Sequence, residues 1–143
     1  MEVIFQTGIK MGKKHLIVVR GHDGLDEISV STPTRILEYR DGKTYDYELR
    51  PEDFGIEPVP FHAVAADNQE TCIAVAKDIL AGKLQSEHYK LVAVNAAFIY
   101  SKMVENIPLP EAYQKMKELL KAGAAGQVLE QYKMSYNESA VEV

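Results

Sequence analysis

Four consecutive apolar residues, Leu16-Ile17-Val18-Val19, constrain this chain more than any other stretch. The run is short and rich in β-branched residues, which suits a strand buried on both faces of a parallel sheet. Gly21-His22-Asp23-Gly24-Leu25-Asp26-Glu27-Ile28-Ser29 follows directly. In open α/β sheets, ligand sites collect just beyond the carboxyl ends of such strands. Gly21 and Gly24 permit tight turns there, so the adjacent carboxylates Asp26 and Glu27 fall at the lip of the sheet. Neighbouring acids repel unless solvated, paired or bridged by a cation. An oxygen-rich pair suits Mg²⁺, which keeps several waters and bridges to substrate phosphates. A solvated turn is the competing reading of the same two residues.

The rest of the chain alternates strand and helix signals. Residues 2–11 read as a helix with Val3, Ile4 and Ile9 as apolar contacts, weakened by Gly8 and ended by Gly12. Residues 27–30 read as a short strand, broken by Ser31-Thr32-Pro33. Thr34–Arg40 and Lys43–Leu49 read as a hairpin around Asp41-Gly42, a strong short-range turn signal. A two-residue turn sets Ile36 opposite Tyr47 and Thr34 opposite Leu49. Tyr45, Tyr47 and Leu49 then share the buried face of Ile36, and Thr44, Asp46 and Glu48 face water.

A loop follows to about Ala66, kept extended by Pro58 and Pro60 and pinned by Phe54, Ile56 and Val59. Asp53 reads as a capping or turn residue rather than a metal ligand. Asp67 and Glu70 have capping-box spacing before a helix striped by Cys72, Ile73, Ala76, Ile79 and Leu80. Cys72 is then a packed thiol rather than a nucleophile. Residues 87–103 are apolar nearly all round, as in a largely buried central helix. Asn95 inside it needs hydrogen-bond partners, which points to a tie between this helix and nearby backbone. Pro110 opens a helix striped by Ala112, Tyr113, Met116, Leu119 and Leu120. A last helix over 126–133 uses Val128, Leu129 and Tyr132, and the polar residues 134–143 read as a mobile tail.

Bulk properties narrow the function classes. A length of 143 residues suits one modest domain with its own core. The net charge of −5 removes the basic footprint of a nucleic-acid binder. The single cysteine excludes an intramolecular disulfide. The opening residues lack a secretory pattern, and the most apolar run, Leu91 to Tyr100, is about half a membrane span. A soluble cytoplasmic protein is expected. His15, His22, His62 and His88 show no metal-ligand spacing, and nucleophile elbows, Walker loops and dinucleotide fingerprints are missing.

The stretch Val18-Val19-Arg20-Gly21-His22-Asp23-Gly24-Leu25-Asp26-Glu27-Ile28-Ser29 resembles the anthranilate phosphoribosyltransferase family. The resemblance continues through Tyr39-Arg40-Asp41-Gly42, Pro51-Glu52-Asp53-Phe54-Gly55 and Asn95-Ala96-Ala97, and covers residues 2–133. It implies an α/β fold of the class II nucleoside phosphorylase/phosphoribosyltransferase type. This chain would be the closing, carboxyl-terminal part of its larger α/β domain, with a β-hairpin and several C-terminal helices. The implied reaction transfers phosphoribosyl from phosphoribosyl pyrophosphate to anthranilate, in tryptophan biosynthesis. The family's acidic pair helps hold Mg²⁺, a role that falls here on Asp26 and Glu27. No residue of this chain is assigned a catalytic role.

Departures from the family pattern matter equally. Its Gly-Thr-Gly-Gly-Asp phosphate loop, Lys-His-Gly segment and anthranilate-binding arginine have no counterpart in these residues. Arg20 stands where the family has histidine. Ala65-Ala66 stands for Gly-Gly, and Glu70-Thr71-Cys72 for Glu-Asn-Ala. An inactive carboxyl-terminal portion is therefore expected, needing an amino-terminal half or forming a homo-oligomer. A non-catalytic paralogue or interaction module is the alternative, and a pyrimidine nucleoside phosphorylase relative a further one.

Overall fold

The computed structural model describes the backbone of residues 1–140 and the side chains of residues 1–136. The order is α1 (Glu2–Lys10), β1 (His15–Gly21), β2 (Thr34–Arg40), β3 (Lys43–Leu49), α2 (Gln69–Leu80), α3 (His88–Met103), α4 (Leu109–Lys121) and α5 (Ala124–Ala140). Short 3₁₀ turns at Pro51–Phe54 and Phe61–Ala63 interrupt the connection from β3 to α2. The result is an α/β fold with a small antiparallel sheet followed by helices. No helix among the described residues is long and apolar enough to cross a membrane.

The sheet runs β1-β2-β3, and both pairings are antiparallel. The hairpin register is the expected one, with Ile36 opposite Tyr47 and Thr34 opposite Leu49. Asp41 at φ 52° and Gly42 at φ 74° give the two positive-φ residues that a type I′ turn requires. The expected parallel placement of β1 is corrected: β1 pairs antiparallel with β2 and is a half-buried edge strand. A parallel neighbour needs a crossover of a dozen or more residues, usually helical. Residues 22–33 instead fold on themselves and return the chain directly. Residues 27–30 are likewise not a strand, because loop and helix groups take their hydrogen bonds.

Helices cover both faces of the sheet. Ile17, Val19, Ile36 and Tyr47 join the core that Ala93, Val94, Ala97 and Phe98 of α3 complete. On the opposite face lies α1, whose Glu2 accepts a 2.7 Å hydrogen bond from Arg35. Its buried residue is Phe5, whereas the expected contacts Val3 (80% exposed) and Ile4 point outward. Gly8 has a packing use: a Cβ there would come within 2.5 Å of the Leu16 side chain. As expected, Thr44, Asp46 and Glu48 are exposed and Phe54 and Val59 are buried, but Tyr45, expected on the buried face with Tyr47 and Leu49, is exposed.

The helical layer departs from its stripes in places. Ile79 of α2 is buried and Val75 and Leu80 half-buried, but Cys72, Ile73 and Ala76 are exposed, which corrects the packed-thiol reading. Periodicity names a face, not how much of its length is covered. The cap of α2 is Asn68, which accepts from the Thr71 N–H, rather than Asp67. The expected all-round burial of α3 fails on one stripe, where Val92, Ile99 and Met103 are exposed. Ala112, Tyr113 and Leu120 of α4 are buried as expected, but Leu119 is exposed. Val128 and Tyr132 of α5 are also exposed, and the helix continues to Ala140, past the expected end at Lys133. Residues 141–143 of the expected tail lie outside the described residues.

Candidate functional site

The acidic loop between β1 and β2 is built on its own short polar side chains. Asp23 Oδ1 accepts from the Leu25 N–H at 3.2 Å, and its Oδ2 accepts from the Ser29 hydroxyl at 2.6 Å. Ser29 Oγ in turn accepts from the backbone N–H groups of Ser31 and Thr32. The Ser29 N–H donates to Thr34 Oγ1 at 2.9 Å, and the Gly21 N–H donates to the Leu25 carbonyl at 2.8 Å. The loop closes so tightly that a Cβ at Gly21 would lie 2.3 Å from Asp23 Oδ1. Self-bonding of this kind is what Asp, Ser and Thr offer in place of a ladder.

One long-range tie fixes the loop against the helices. Asn95 Oδ1 accepts from the Ile28 N–H at 2.9 Å, while its Nδ2 donates to the Ile28 carbonyl at 3.0 Å and the Leu91 carbonyl at 2.9 Å. The amide thus replaces the strand partner that Ile28 lacks. This is the expected structural role of Asn95, and the backbone it holds adjoins Glu27.

Asp26 and Glu27 are exposed and have no hydrogen bond or ion pair among the described residues. Nor do three or more His, Cys, Asp or Glu side chains converge on a metal position among those residues. Two free carboxylates fit Mg²⁺, a hard cation that takes one or two protein carboxylates beside waters and substrate phosphates. Asp53 does not join them: its carboxylate accepts from the Arg50 N–H at 2.7 Å, the expected capping role.

Positive groups flank the loop. A polar cleft of about 440 Å³ is lined by Met1, Glu2, Arg20, Gly21, His22 and Arg35. Arg35 is bound to Asp46 and Glu2, and His22 lies 2.9 Å from Glu48. Arg20 alone among these cations has no ion pair among the described residues.

A second cluster lies on the α3-facing side of the sheet. Glu38 is 2% exposed, accepts from the Tyr47 hydroxyl at 2.8 Å, and has His15, Arg40 and Lys102 within 3.5 Å. Burial pushes its carboxyl upward, but the Tyr47 hydrogen bond and the charges of Lys102 and Arg40 outweigh this and hold it below the usual range. The same burial raises the Tyr47 phenol well above its ordinary value. Every partner of Glu38 is a donor or a cation, so the cluster joins sheet to helix.

Comparison with known proteins then decides the family. Residues 2–126 match the model of the "Glycosyl transferase family, a/b domain". The chain belongs to this family. Within it, the relatives found are anthranilate phosphoribosyltransferases, as the motifs led one to expect. The protein of that name from Halorhodospira halophila is 33% identical over 130 residues, covering 91% of this chain and 38% of its own length. A Mg-bound variant of the Saccharomyces cerevisiae enzyme superposes with a TM-score of 0.76 at 25% identity, over 90% of this chain and 37% of that one. The same enzyme in complex with PRPP and Mg gives 0.70 at 25% identity, over 81% and 33%. The chain therefore spans less than two fifths of the length of these members of the glycosyl transferase family.

Sequence reasoning passed over four residues of the site. Asp23 carries a readable signal, an Asp two positions before a turn amide. Ser29 and Thr34 also suit local bonding by type. Glu38 carried a signal as well, since strand alternation puts it on the buried face of Ile36, but its partners His15 of β1 and Lys102 of α3 come together only in the fold.

Proposed function

We propose that residues 1–133 form the closing, carboxyl-terminal part of the larger α/β domain of an anthranilate phosphoribosyltransferase, a class II nucleoside phosphorylase/phosphoribosyltransferase-like fold. In that reaction the anthranilate amine forms a C–N bond to the ribose anomeric carbon as the C–O bond to pyrophosphate breaks. Phosphoribosyl pyrophosphate and anthranilate are the substrates of the whole enzyme. Asp26 and Glu27 would hold Mg²⁺, which supplies electrostatic stabilisation of the departing pyrophosphate when bound. The chain's own contribution is positional. Asp23, Ser29 and Thr34 fix the loop, and Asn95 anchors Ile28, so the two carboxylates stay exposed and unneutralised. The observation that carries the reading is this unpartnered acid pair on a braced loop, in a chain whose relatives share that name.

A chimera tests it. This chain replaces the matching segment of the H. halophila relative, and phosphoribosyl-anthranilate formation is followed against Mg²⁺ concentration. Asp26→Asn with Glu27→Gln should lower kcat and raise the Mg²⁺ requirement. The thermal midpoint should barely move, because an exposed like-charge pair leaves no buried group unpaired when removed. Equal rates at every Mg²⁺ concentration would sink the metal assignment. A folded but inactive chimera would favour the non-catalytic paralogue.

A further inference from the structure

Three charges at the β1–β2 loop have no partner among the described residues: the carboxylates of Asp26 and Glu27 and the guanidinium of Arg20. Arg20 is exposed, lies one residue before the end of β1, and lines the polar cleft of about 440 Å³. The Gly21 N–H donates to the Leu25 carbonyl at 2.8 Å. Gly21 follows Arg20 and Leu25 precedes Asp26, so this one hydrogen bond brings the backbone at the free cation beside the backbone at the acid pair. The other charges of the cleft are engaged. Arg35 holds Glu2 and Asp46, Glu2 lies 3.7 Å from the Met1 amino group, and His22 lies 2.9 Å from Glu48. A free guanidinium beside two free carboxylates complements a bound pair of opposite charges. A divalent cation suits the acids. A phosphate suits the guanidinium, whose planar fork meets two oxygens at once.

We infer that Arg20 binds a phosphate group of the ligand whose metal ion Asp26 and Glu27 hold. The inference rests on the functional reading above and adds a cationic contact to that site. Without the metal ion, the two carboxylates repel the same phosphate that Arg20 attracts; with it, all three residues favour one ligand. The Arg20 contact and the metal ion therefore strengthen each other. A guanidinium also stays charged at every working pH, so this contact persists where an imidazole at the same position loses its charge.

Calorimetric titration of the full 143-residue chain with inorganic pyrophosphate and with ribose 5-phosphate, each in Mg²⁺ and in EDTA, tests it. The anion whose binding depends on Arg20 identifies which kind of phosphate is held. Binding is expected to be tighter in Mg²⁺ and weakened about ten-fold by Arg20→Gln in either medium. Arg20 is exposed and unpaired, so the melting curve should not change. Lys121→Gln, at an exposed lysine of α4, is the control and should bind as wild type does. Arg20→His supplies a readout that a structural role would not move. The ratio of wild-type to variant affinity cancels the ligand's own titration and the charges of Glu2, His22, Arg35, Asp46, Glu48 and the Met1 amino group, which both proteins share. It should be smallest below about pH 6 and widen to about ten-fold by about pH 8. A ratio constant across that range overturns the inference, as does undiminished binding in Arg20→Gln, equal weakening by Lys121→Gln, or no saturable binding of either anion. The metal assignment fails separately. Binding that needs Arg20 but ignores both Mg²⁺ and the substitution of Asp26→Asn with Glu27→Gln keeps the phosphate contact and sinks the acid pair as a metal clamp. Mg²⁺-dependent binding indifferent to Arg20 does the reverse.

Discussion

Asn95 is one amide that makes three hydrogen bonds, two of them to the backbone of Ile28. No apolar residue of similar size can both donate and accept there. Asn95→Ala leaves the Ile28 N–H and carbonyl without their partner, at a cost of about 1–3 kcal/mol. Urea unfolding should show that loss, and β1–β2 loop amides should exchange faster. In the chimera, the same substitution should raise the Mg²⁺ requirement without touching either carboxylate. An unchanged Mg²⁺ dependence would mean the loop holds its acids without help from α3. Asp26 and Glu27 differ in kind from Asn95: they make no hydrogen bond or ion pair among the described residues, so their substitution should register in the Mg²⁺ dependence of the chimera and not in urea unfolding.

At the scale of elements, Glu38 is the charged joint between the sheet and α3. It gathers Tyr47 from β3, Arg40 from its own strand, His15 from β1 and Lys102 from α3. Lys102 also lies over the rings of Tyr47 and Phe98. A carboxyl held below its ordinary range adds stability that is present above that range and lost as pH falls through the folded value. Glu38→Gln should therefore cost about 1–3 kcal/mol at neutral pH. The gap to wild type should narrow as pH falls below the ordinary carboxylate range. Urea unfolding of both proteins at pH 7 and pH 3 measures it, and a gap constant across that window would show that the charge of Glu38 is not the source.

At the scale of the whole molecule, the described residues pack one core and leave apolar surface exposed outside it. The half-buried edge of β1, an exposed stripe of α3 and the carboxylates of Asp26 and Glu27 lie outside it, as do Val3 and Ile4 of α1 and Val128 and Tyr132 of α5. Catalysis by families of this kind depends on positioning two substrates, and much of the acceleration comes from holding them in register. The Gly-Thr-Gly-Gly-Asp and Lys-His-Gly motifs of the resembling family do not occur in these residues. The purified chain should therefore form no phosphoribosyl-anthranilate at any Mg²⁺ concentration. Product above the enzyme-free background would show that these residues complete a site.

The sequence alone determined what depends on neighbours along the chain. Asp41-Gly42 sets the hairpin register, because two positive-φ residues admit one tight turn and the pleat then pairs every later residue. The acidic motif located the candidate loop, and the need of a buried amide for partners assigned Asn95 its structural role. Tertiary structure decided everything that depends on who covers a face. The run Leu16 to Val19 reads as a parallel interior strand, yet lies antiparallel at an edge, because helices can bury both faces of a strand whatever its pairing. Cys72 and Ile99 sit in convincing apolar stripes, but periodicity cannot say where the neighbouring element ends. Glu38 shares the buried face of Ile36 by strand alternation, but only the fold brings His15, Tyr47 and Lys102 to its carboxylate. The set of charges that offsets its burial is a property of the assembled layers, because His15 and Lys102 are far from Glu38 along the chain.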